Sequence, residues 1–146
     1  MKKFSFSLEG VKRYKDQNLD LKKLEYAAAV NAVAEQAAKV EGLKASFNSA
    51  NAEFKEKNTK GTNAVELYNV KQYLLILQEN IDSEIIEQAK LENEAERAKE
   101  RMIEAKIESA SIEKLRERRL EEYRMEAQKS EDAFIEEFVS SKIYRS

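Results

Sequence analysis

Alternating steps of three and four residues from Leu67 land on Val70, Leu74, Leu77, Ile81, Glu84, Gln88, Leu91, Ala95, Ala98, Met102, Ala105, Ser109 and Ile112. Eleven of these fourteen positions are apolar. A repeat of 3.5 residues held this long predicts a helix that supercoils against a partner, since that spacing keeps one stripe turned toward a neighbour. A long helix in water needs such burial, because intrinsic propensity alone does not hold it.

The rest of the chain has little room for anything but helix. It contains no Pro, Cys, His or Trp, and its three glycines are Gly10, Gly42 and Gly61. Tight turns draw on Gly and Pro, so turns are few. Charged residues make up 37% of the chain, the composition of a long helix or coiled coil. The one clear break is "KEKNTKGTN", residues 55–63, which has a glycine, turn-forming residues and no large apolar side chain. The expected fold is therefore all-α, two long helices in an antiparallel coiled-coil hairpin. Residues 1–146 are expected to form a single coiled-coil domain, with a helix over about 8–57, a turn over about 58–62 and a helix over about 63–138. The tail after 138 is a candidate for disorder.

The first helix has a clean stripe late, at Val40, Leu43, Phe47, Ala50 and Phe54. Earlier, Leu21, Leu24 and Ala28 are the expected apolar positions. After Ile112 the stripe of the second helix slips to Leu120, Tyr123, Ala127, Phe134 and Phe138, so residues 113–138 are expected to project past the first helix. Ser7 is the expected N-cap of the first helix, with Phe6 and Val11 at the two positions of a hydrophobic staple. Asn63 and Glu66 resemble a capping box at the start of the second.

Charge sets further bounds. The formal total is 26 − 28 = −2; residues 1–60 carry 12 basic and 8 acidic side chains, residues 61–146 carry 14 and 20. Opposite-sign halves suit segments lying side by side. A near-neutral total argues against nucleic-acid binding, which needs an excess of Lys and Arg. The absence of cysteine fits a reducing compartment. No signal-peptide core and no apolar run of membrane-spanning length occur, so the chain is expected to be soluble and cytoplasmic. Without His or Cys, and without a phosphate-cradling glycine motif, no catalytic constellation, cofactor site or metal site is expected. The chain is not expected to be an enzyme.

Three stretches could carry recognition. In "IEKLRERRLEEYRMEAQ", residues 112–128, Lys114, Arg116, Arg118, Arg119 and Arg124 interleave with Leu115, Leu120 and Tyr123. This reads either as a solvated helix laced with ion pairs or as a docking face rich in Arg and Tyr. In "VKQYLLIL", residues 70–77, Tyr73, Leu75 and Ile76 lie off the seam, either covered locally or left as an apolar interaction patch. The run Lys12, Arg13, Tyr14, Lys15 is either solvated charge or a further contact.

With these residues in view, the chain resembles the FliJ family, soluble components of the flagellar type III export apparatus. At the front the resemblance rests on "FSFSLEGVKRY", with its spaced phenylalanines, Leu8, Val11 and the Arg13–Tyr14 pair. At the back it rests on "IEKLRERRLEEYRMEAQKSED", with its Leu-basic-Glu rhythm and Tyr123 before an acidic end.

The resemblance implies an architecture similar to the γ-subunit stalk of rotary ATPases. It also implies binding and stimulation of the export ATPase FliI (with FliH), contact with the gate protein FlhA, and handling of export chaperones. The location implied is the inner face of the membrane, reached through the export apparatus. Carried over by position, the ATPase-facing end would present Phe4, Phe6, Leu8, Val11, Leu115, Arg116, Arg119, Leu120 and Tyr123. Arg13, Tyr14, Tyr73, Leu75 and Ile76 would face the gate or a chaperone. Two other readings stay open: a coiled-coil scaffold or homodimer with no ATPase partner, and a helical adaptor that wraps cargo.

Overall fold

The computed structural model describes residues 2–145, with side chains described through Tyr144. Two helices account for nearly all of them: α1, Glu9–Lys60, and α2, Ala64–Arg145. Among the described residues there is no strand, and the helices pair as an antiparallel hairpin. α2 continues past the expected end at 138 to Arg145.

The turn is short because each side of it is capped. Gly61 sits at φ +84°, in the left-handed region that stops a helix and that residues with a Cβ enter only with strain. Two residues later the Asn63 side chain accepts the Glu66 N–H at 2.8 Å, which caps α2 as the sequence suggests. The return bond of a capping box is replaced: the Glu66 carboxylate accepts from the Thr62 hydroxyl instead. Glu66 in the first turn of α2 and Lys57 and Lys60 in the last turn of α1 each complement the helix dipole.

The start of α1 differs from expectation. Its first helical bond runs from the Lys12 N–H to the Leu8 carbonyl at 2.9 Å, and the Glu9 N–H donates to the Phe6 carbonyl at 3.1 Å. Leu8, not Ser7, therefore holds the cap position, and the staple positions fall on Ser7 and Lys12. Phe6 is still buried, at 7% exposure, while Val11 is exposed.

The chain forms two compact units. One comprises residues 22–101, the other residues 1–21 with 102–146. Within the first, the seam follows the counted stripe: Val40, Ala50, Leu77, Ile81 and Ala98 are buried. Leu43, Phe47, Phe54, Leu67, Val70, Leu74 and Leu91 are half-buried. One polar layer interrupts it. Gln36, buried, donates through its amide to the Glu84 carbonyl at 2.9 Å and to the Glu84 carboxylate at 2.5 Å. The Lys39 ammonium reaches the same carboxylate at 3.1 Å.

The early phase of α1 also departs from expectation. Leu19, Lys22, Tyr26, Ala29 and Val33 are half-buried, whereas Leu21, Leu24 and Ala28 are exposed. Three- and four-residue steps back from Val40 give the former set, so the 3.5 repeat of α1 is continuous. Some of its places are simply filled by lysine.

In the second unit the seam is largely ionic. Lys12 bridges Asp16 at 2.7 Å and Glu113 at 3.3 Å. Lys15 meets Glu108 at 3.0 Å, and the Ser109 hydroxyl donates to Asp16 at 2.6 Å. Arg116 pairs with Glu9 at 3.3 Å. Residue numbers on α1 rise as those on α2 fall, as an antiparallel pairing requires.

Candidate docking end

Residues 2–8 precede α1 without regular structure, yet two aromatic side chains tie them to α2. The Phe4 and Tyr123 rings lie 5.5 Å apart, tilted by 54°, an arrangement favoured by their quadrupoles. The Tyr123 hydroxyl donates to the Lys2 carbonyl. Arg116, already paired with Glu9, places its guanidinium 5.8 Å from the centre of the Phe4 ring, a cation–π distance. Phe4 thus answers to a ring and a cation of its own chain.

Beside this pair lies an open cleft of about 570 Å³, lined by Lys2, Lys3, Phe4, Arg119, Glu122 and Tyr123 among others. Its rim brings three cations, two carboxylates and two aromatic faces together.

Of the residues expected at this end, Phe6 is buried, and Phe4, Leu8, Leu115, Arg116, Leu120 and Tyr123 are half-buried. Val11 and Arg119 are exposed. The slip after Ile112 is real: Ile112 and Glu113 are both half-buried, after which Arg116, Leu120, Tyr123 and Ala127 carry the stripe. From Gln128 to Tyr144 every side chain is exposed. The second expected group, Arg13, Tyr14, Tyr73, Leu75 and Ile76, is exposed throughout.

Electrostatics in the seams follow from the pairings. The Lys12 ammonium, then the Ser109 hydroxyl, hold the Asp16 carboxyl below its ordinary range, and the same contact raises Lys12. The Gln36 amide, then Lys39, lower the Glu84 carboxyl. Glu84 stands in the counted stripe, but apolar spacing marks neither its Gln36 partner nor the Lys12–Asp16–Glu113 cluster. Carrying the α1 repeat back through Lys22, Lys15 and Lys12 is the signal that would have found the cluster.

A family model described as the flagellar FliJ protein matches residues 4–146. The chain belongs to the FliJ family. No curated protein and no solved structure matches it. Membership makes it a component of the flagellar export apparatus, in a family that is a non-catalytic part of that machinery. Among the described residues no helix is long and apolar enough to cross a membrane, and no acidic cluster could hold a metal ion.

Proposed function

We propose that this FliJ-family chain acts as a stalk-like regulator of the export ATPase FliI (with FliH), docking through the end where residues 2–8 meet α2. The observation that carries the reading is the Phe4–Tyr123–Arg116 cluster beside an open cleft. It gathers Arg and Tyr, residue types enriched at binding hot spots, on a preordered support. Phe4, Phe6, Leu8, Leu115 and Leu120 hold this end in shape; Val11, Arg119 and the open sides of Arg116 and Tyr123 meet the ATPase. Arg13, Tyr14, Tyr73, Leu75 and Ile76, exposed outside the seam, meet the gate protein FlhA or export chaperones. These contacts hold the chain at the inner face of the membrane.

Stimulation of the cognate ATPase tests the reading. Arg119→Glu removes an exposed cation without touching the seam, and Tyr123→Ala removes the aromatic support. Each is expected to weaken stimulation by roughly tenfold, the size of one hot-spot loss. Leu75→Asp is expected to reduce capture of the FlhA cytoplasmic domain while leaving stimulation intact. Unchanged stimulation in both end variants, with wild-type helicity by circular dichroism, rejects the assignment.

A further inference from the structure

The exposed end of α2 carries a pattern that the docking end does not use. Glu131, Phe134, Ile135, Phe138, Val139 and Lys142 fall within an arc of about 140° on a helix of 3.6 residues per turn. The four apolar members are between 48% and 69% exposed. Lys142 lies on this face, its ammonium 6.0 Å from the centre of the Phe138 ring. A helical segment of this length is marginal in water without a covered face, and the seam of its own chain ends at Ala127.

The order of the six residues is symmetric: an acid, an apolar pair, a second apolar pair, a base, with two residues between successive groups. Reversing the direction of the helix maps Glu131 onto Lys142, Phe134 onto Val139 and Ile135 onto Phe138. A stripe of this kind is complementary to itself only when two copies run antiparallel. We infer that the face formed by these six residues docks against the same face of a second copy of this chain, antiparallel and about a two-fold axis between residues 136 and 137. Each dimer then buries both apolar stripes and closes two Glu131–Lys142 ion pairs, one at each end, the isologous arrangement a two-fold requires. Parallel pairing would set Glu131 against Glu131 and Lys142 against Lys142. Four apolar side chains per copy cover less than the roughly 800 Å² per partner of a standard interface, so the dimer is a weak one that forms with concentration.

Sedimentation equilibrium of the full chain over roughly 1–500 µM is the test. The fitted mass is expected to rise from 16.9 kDa toward twice that value. Glu131→Lys alone and Lys142→Glu alone are each expected to weaken association by about tenfold or more, because both ends of the dimer then carry like charges. The double variant, with the two charges exchanged, is expected to restore it. A mass of 16.9 kDa at every concentration overturns the inference. So does a dimer insensitive to either single reversal, or one that the double exchange fails to rescue. ATPase stimulation is measured separately, so either result leaves the docking-end reading to stand or fall on its own test.

Discussion

Asp16 and Glu84 are the carboxylates whose surroundings most favour the ionised form, through the Lys12 ammonium and Ser109 hydroxyl in one case and the Gln36 amide and Lys39 in the other. Their folded-state values lie below the ordinary 3.8 and 4.5. The unfolded chain therefore binds more protons in that window, and stability rises with pH across it. The stabilisation is present above about 4.5 and is lost as pH falls through the depressed values. Lys12 works the other way: its raised value adds stability that is complete below 10.5 and is lost as pH rises beyond it. Melting curves by circular dichroism are expected to stay level from neutral pH down to about 5 and then fall. The combined variant Asp16→Asn with Glu84→Gln should flatten that fall; an unchanged acid limb would count against the pairing.

The two helices were legible in the sequence to different degrees. The stripe of α2 from Leu67 to Ile112 could be counted directly, because most of its places are apolar. The slip beyond Ile112 was visible too, since Leu120 and Ala127 are out of step with the earlier positions. The start of α1 was not. Lys12, Lys15 and Lys22 occupy half-buried seam places, and their ammonium groups reach acids. A search for apolar residues picks out Leu21 and Leu24 instead, and these are on the outside. Nor could sequence alone pair Phe4 with Tyr123, since that contact spans most of the chain. The turn, by contrast, was written in Gly61 and Asn63. Gly61→Ala is expected to cost about 1–2 kcal/mol by forcing a Cβ into the left-handed region, and urea denaturation measures it. A loss below a few tenths would mean the turn relaxes.

The two compact units hold their helices together by different means. Residues 22–101 rest on an apolar seam with one polar layer at Gln36 and Glu84, whereas 1–21 with 102–146 rest on ion pairs and a few apolar contacts. Exposed ion pairs contribute little each and are screened by salt; apolar burial is not weakened that way. Backbone amides in 12–21 and 106–127 are thus expected to exchange with deuterium faster than those in 33–54 and 70–98. The gap should widen on raising salt from about 0.05 to 0.5 M. Equal protection in both, at either salt, would show that the ionic seam holds as firmly as the apolar one.

The Lys2 carbonyl bonded to Tyr123 has a practical consequence for anyone handling the protein. An affinity handle or fluorophore attached close to Lys2 lies beside that bond and beside the cleft, where it can block a docking partner or mimic one. The span from Gly61 to Asn63, between the helices, is a safer place for a probe, provided the glycine and the capping asparagine are kept.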